Sequence, residues 1–94
     1  MKVRIGYGLG AVPSLYPTAR REIAGLGAVV DDLDRLGFDS LWFPERINSM
    51  QLDPIVAMSY VAGRSEKLKF GPAVSVVPGR NPILMAKMLA SLDV

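Results

Sequence analysis

The residues best placed for chemistry are Glu45 and Arg46, side by side and directly downstream of the apolar run Asp39-Ser40-Leu41-Trp42-Phe43-Pro44. If that run is a parallel strand, the pair stands at its C-terminal end, where α/β folds place functional side chains. Position alone leaves two readings open, a working acid and base or a solvated loop pair. Arg80-Asn81 is a weaker candidate: Asn81 reads as a helix N-cap and Arg80 as a loop charge, unless an anion docks at the helix terminus. Gly6-x-Gly8-x-x-Ala11 satisfies a relaxed dinucleotide fingerprint, but Pro13 and Pro17 stand where the helix of a Rossmann unit should open. Glu45 also comes far too late to close that unit's second strand. The glycines read better as points where strand and loop approach other backbone closely. Met58, Met85 and Met88 read as core filler, and Trp42 and Phe43 as packing residues within a strand.

The absences are as informative. The 94 residues contain no His and no Cys, which removes the imidazole base, the thiol nucleophile, the Ser-His-Asp triad, the disulfide and the usual zinc site. Catalysis therefore falls to carboxylates, Arg or Lys, Tyr, backbone groups or a cofactor, and no metal is expected. Eleven Lys and Arg against nine Asp and Glu leave a net charge of +2, too small and too dispersed to argue for nucleic acid. Half of the residues are hydrophobic, yet Gly, Pro or charge interrupts every apolar run short of the roughly 18 residues a membrane helix needs. With no signal-peptide layout at the N-terminus, the chain reads as cytoplasmic.

Val3 to Gly8 is a short strand whose lack of alternation suits burial on both faces. Leu9 to Thr18, with two prolines, is a loop. From about Ala19 a helix is expected, with Ile23, Leu26, Val30 and Leu33 on one face, acidic residues on the other, and Gly37 as its stop. Asp39 to Pro44 is the second strand. Asp53-Pro54 opens a second helix as N-cap and first-turn proline, with Ile55, Met58 and Ala62 as its stripe. Lys69 to Val77 is the third strand, with Val74, Val76 and Val77 in its body. Asn81-Pro82 repeats the cap-plus-proline start, and Met85, Met88, Leu89 and Leu92 mark a third helix. Strand and helix alternate three times with no hairpin signal. At about 30 residues per unit this is a parallel βαβαβα segment.

Placed in order, the segments Leu36 to Arg46, Asp53-Pro54, Lys67-Leu68-Lys69-Phe70-Gly71, Val77-Pro78-Gly79-Arg80-Asn81-Pro82 and Ala86 to Asp93 resemble the N-terminal part of the luciferase-like monooxygenase family. The closest branch is the oxidoreductases that use the deazaflavin coenzyme F-420. The resemblance spans nearly the whole chain, and the combination carries it rather than any one piece. It implies that residues 1–94 are the first three units of a TIM (β/α)8 barrel, with a flavin or deazaflavin at the C-terminal mouth exchanging hydride with a small organic substrate. The ring carries the redox chemistry, which fits a chain without His or Cys. The family's Asp-His pair falls on Glu45-Arg46. Arg46 stays protonated and cannot shuttle a proton as His does. As catalytic residues the pair is expected to act otherwise, Arg46 holding a substrate carboxylate or an anionic reduced ring and Glu45 orienting it. The implied cofactor-binding positions are Tyr7 and Gly8 at the first strand and Ala73, Val74 and Val76 at the third. A non-prolyl cis peptide is implied at Ala73-Val74, although in an isolated segment trans is expected.

A barrel of this class needs about 250 residues or more, and its phosphate site comes from late loops. The 94-residue chain by itself is therefore expected to be inactive, a piece of an F-420-dependent enzyme. Two alternatives stand beside that reading: an FMN-dependent monooxygenase of the same superfamily, and a non-catalytic α/β module that binds a small molecule or assembles with itself. High apolarity and two unprotected sheet edges favour a homo-oligomer.

Overall fold

The computed structural model describes residues 3–9, 19–48 and 51–93, and of residues 19–24 only the backbone. Within them three strands alternate with three helices: β1 (Gly6–Gly8), α1 (Ala19–Leu36), β2 (Ser40–Phe43), α2 (Pro54–Arg64), β3 (Lys69–Pro72) and α3 (Pro82–Leu92). The sheet order is β1-β2-β3, and both pairings are parallel. Each strand is followed by a helix and then pairs with the next, which is the α/β order of a (β/α) barrel segment.

Local signals set the helix boundaries. Asp53 Oδ1 accepts from the N–H groups of Ile55 at 2.9 Å and Val56 at 3.3 Å, and Asn81 Oδ1 accepts from Ile83 at 3.0 Å and Leu84 at 3.2 Å. Each cap satisfies first-turn donors that have no partner within the helix, with proline in the next position. Beyond α1 the chain takes φ +78° at Gly37, the left-handed turn that a glycine allows at a helix end.

The core lies between α1, α2 and one face of the sheet. Leu26, Val30 and Leu33 of α1 meet Leu41 and Phe43 of β2, Ile55, Ala57, Met58 and Val61 of α2, and Leu68. Full burial of Leu41, Val30 and Val61 contributes roughly 1.5–3 kcal/mol each. An exposed ion pair from Arg64 Nε and Nη2 to Asp31, at 2.8 and 2.6 Å, also links α1 to α2. Solvent screens such a pair, so packing rather than charge carries the junction.

Several expectations need correction. β1 is not buried on both faces: it is exposed along its length, because it pairs only with β2 and forms one end of the described sheet. The stripe of α2 passes through Val61, which is fully buried, while Ala62 is exposed; the helix rolls by about one position as it seats on β3. β3 stops at Pro72 instead of reaching Val77. Ala73 N–H still donates to Phe43 O at 2.7 Å, after which the chain leaves the ladder, and Val74 and Val77 are exposed. Lastly, the Ala73–Val74 peptide is cis, as the resemblance implies and against the trans form expected of an isolated segment. Flanking bonds anchor both sides of it, Ala73 to β2 and Val76 to Glu45. Ala11, Pro13, Pro17 and the side chain of Ile23 lie outside the described residues.

Candidate functional site

Parallel pairing brings three chain segments to one end of the sheet. Leu9 N–H donates to Trp42 O at 2.9 Å as β1 ends, and Ala73 is tied to Phe43 at the end of β3. Between them β2 runs out into Pro44, Glu45 and Arg46. A depression of about 280 Å³ opens here, lined by Gly8, Leu9, Trp42, Pro44, Arg46, Gln51 and Ala73.

Strand alternation decides which residues reach it. Leu41 and Phe43 turn toward the helices, so Ser40 and Trp42 turn to the opposite face. There the indole of Trp42 lies across all three strands. A Cβ on Gly6 would come within 2.9 Å of its Nε1, and a Cβ on Gly71 within 2.9 Å of its Cζ3. Only glycine at both positions leaves room for the ring to lie flat. Trp42 Nε1 donates to Ser40 Oγ at 3.0 Å, which fixes the tilt. Trp42 keeps 43% of its surface exposed while its neighbour Phe43 is buried. The two aromatics read from sequence as equivalent packing residues therefore sit in different places, one in the core and one in the lining.

Of the positions singled out in the sequence, Gly8, Arg46 and Ala73 line the depression. Tyr7, in register with Leu41, sets its ring edge-on to Phe38 at 6.3 Å between centroids. Val74 is 80% exposed, and neither it nor Val76 lines the depression.

Glu45 faces away from the depression, into the segment after β3. Its Oε2 accepts from Ser75 Oγ at 3.1 Å and Val76 N–H at 2.7 Å. Its Oε1 accepts from Arg80 Nε at 3.0 Å and Nη2 at 2.6 Å. Arg80 Nη2 donates as well to Asp53 Oδ2. Side-chain exposures of 8% for Glu45 and 19% for Arg80 make this pair largely buried, with Asp53 at its exposed end. Burial pushes the Glu45 carboxyl up, but Arg80, the Val76 N–H and Ser75 outweigh it and hold the group below its ordinary value. Asp53 is likewise held low, burial being outweighed by Arg80 and the N–H groups it caps. Arg80 is held further in its charged form, chiefly by Glu45 and then Asp53. Arg80 is thus not a loop charge. Its place one residue before the Asn81 cap brings it to the same end of the sheet as Glu45 and Asp53.

A larger cavity, about 480 Å³, runs along the outer edge of β3 between α2 and α3, lined by Met58, Leu68, Phe70, Leu89 and Leu92 among others. It lies away from the strand ends that carry Arg46 and Glu45. Among the described residues no helix is long and apolar enough to cross a membrane.

The depression suits part of a conjugated ring cofactor. Trp42 offers a flat apolar surface, Arg46 a guanidinium, and among the described residues nothing stands within 4 Å of where a Cβ on Gly8 would lie. Residues 3–94 match the sequence model of the family described as luciferase-like monooxygenase. Over 68 residues, 69% of the chain, the sequence is 34% identical to limonene 1,2-monooxygenase of Rhodococcus erythropolis. The chain spans 18% of that relative's length.

Proposed function

The chain belongs to the luciferase-like monooxygenase family, and on that premise we propose that the intact protein is an oxidoreductase that moves hydride between coenzyme F-420 and a small organic substrate. The observation that carries the reading is the convergence of Gly8, Arg46 and Ala73, from the ends of three successive parallel strands, on one depression. When bound, the deazaflavin supplies the two-electron chemistry. The chain's own residues supply position and field. Trp42 would offer the ring an apolar surface, Gly8 and Ala73 would line the space it enters, and Arg46 would present a guanidinium charge. Arg46 is suited to hold an anionic group of substrate or cofactor, and it is not a proton shuttle.

A second reading, an FMN-dependent monooxygenase, is favoured by the likeness to a protein named as a monooxygenase. Titrating the intact protein with F-420 and with FMN, followed by the absorbance of each, separates the two. Arg46→Ala is expected to raise the Kd of the preferred cofactor or to lower turnover by about tenfold or more, the loss of one charge-assisted contact. Unchanged affinity together with unchanged turnover refutes the role given to Arg46. The reading includes self-association of the intact protein; its sedimentation as a monomer refutes that part.

A further inference from the structure

Ala73 lines the depression on the β3 side, and the segment that runs from it to Asn81 is not held by ordinary means. Among the described residues it makes no ladder bond after Ala73, and Val74 and Val77 are exposed, so apolar burial contributes little to its path. A single turn, Arg80 N–H to Val77 O at 3.1 Å with φ +96° at Gly79, shapes its far end. Among the described residues, one carboxylate fixes it in space. Glu45 Oε2 holds the near end through Ser75 and Val76, and Oε1 holds the far end through Arg80. Arg80 continues to Asp53, whose other oxygen caps α2. One guanidinium thus joins the end of β2, the start of α2 and the residue before the α3 cap.

From this geometry we infer that Glu45 and Arg80 are positioning residues, which set the β3-side wall of the depression from behind and do not themselves touch the ligand. The inference rests on the proposed function for the ligand's identity, but not for the positioning. Two observations exclude a reacting role for Glu45. Its four accepted hydrogen bonds fill the roughly four lone-pair sites of a carboxylate, which leaves no site for a substrate proton. Neither Glu45 nor Arg80 lines the depression, whereas Ala73, the first residue of the segment they hold, does. The guanidinium is required for its shape as well as its charge. It must donate to two carboxylates 27 and 35 residues away in sequence, a fork that an ammonium does not reproduce.

The test uses the intact protein as wild type, Arg80→Met, Arg80→Lys and Glu45→Gln. Amide hydrogen exchange of the cofactor-free protein reads the positioning directly. Arg80→Met and Glu45→Gln should speed exchange at Val76 by about tenfold or more, the equivalent of one lost charge-assisted bond. Exchange at Val30 in α1 should not change. Arg80→Lys should fall between wild type and Arg80→Met, and if Arg80→Met fails to fold, Arg80→Lys carries the same reading. Unchanged exchange at Val76, or protection lost equally at Val76 and Val30, overturns the inference. With cofactor present, Glu45→Gln should weaken binding while kcat at saturation stays within about tenfold, well short of the 10²–10⁴-fold contribution of a general acid or base. A collapse of kcat with cofactor affinity intact makes Glu45 a catalytic residue and overturns the inference as well. If wild type binds neither F-420 nor FMN, the proposed function fails, while the exchange result still decides the positioning.

Discussion

Asp53 gives its two oxygens to different tasks, and substitution can separate them. Oδ1 accepts from Ile55 and Val56 and caps α2; Oδ2 accepts from Arg80. Asp53→Asn keeps an oxygen for the cap, because Asn caps about as well as Asp, and removes only the charge facing Arg80. The Asp53 side chain is 42% exposed, so that loss belongs near the surface-pair range, about 0.5–1 kcal/mol. Asp53→Ala removes the cap too, adding about 1 kcal/mol. Urea unfolding of the intact protein should therefore rank wild type above Asp53→Asn above Asp53→Ala, with steps of about 0.5–1 and about 1 kcal/mol. In the Asn variant Arg80 still has Glu45, so exchange at Val76 should change little. Equal destabilisation by Asn and Ala refutes the division of labour, since it means Oδ1 carries no cap. An Asn variant as labile at Val76 as Arg80→Met refutes the claim that Glu45, rather than Asp53, anchors the segment.

Acid should weaken the same network. Glu45 and Asp53 are held below their ordinary values of 4.5 and 3.8, so over the acid range the unfolded chain binds more protons than the folded one and stability rises with pH. Their contribution is complete above about pH 5 and is lost as pH falls through the ordinary values toward the folded ones; unfolding free energy measured down to pH 3 should fall less steeply in Arg80→Met, and an identical slope would count against the pairing. Gly71→Ala places a Cβ 2.9 Å from Trp42 Cζ3 and should tilt the indole at a cost of about 1 kcal/mol, at the low end for overpacking because the ring is partly exposed. The Trp42 emission, isolated by subtracting Trp42→Phe, should shift with it, and an unshifted spectrum would mean the ring does not rest on Gly71. Leu41→Ala empties a fully buried core position and should cost about 2–5 kcal/mol in urea unfolding; less than 1 would place Leu41 outside the core.

Much of the fold could be read from the chain because its signals are local. Asp53-Pro54 and Asn81-Pro82 cap and start helices from within four residues, and the Gly37 turn needs only its own φ. The apolar spacing of Leu26, Val30 and Leu33 needs no knowledge of what it packs against. The alternation of strand and helix follows, and with it the parallel sheet. Strand length was less legible: the valines after Pro72 have strand propensity, but a strand exists only where a partner offers its ladder, and β2 offers none beyond Phe43.

The site divides in the same way. Sequence placed Glu45-Arg46 at a strand end, because an apolar run closed by a proline marks that end by itself. It could not divide the pair's roles, sending Arg46 to the depression and Glu45 to the network behind it, nor separate Trp42 from Phe43. Both outcomes depend on register, since shifting a strand by one residue exchanges its two faces. Arg80 reads as an ordinary loop charge until the third strand is laid beside the second. Only then do a carboxylate and a guanidinium 35 residues apart come within 2.6 Å. Residue type and local spacing determined what this chain is built from, and the parallel register decided which of its charges line the depression and which meet each other.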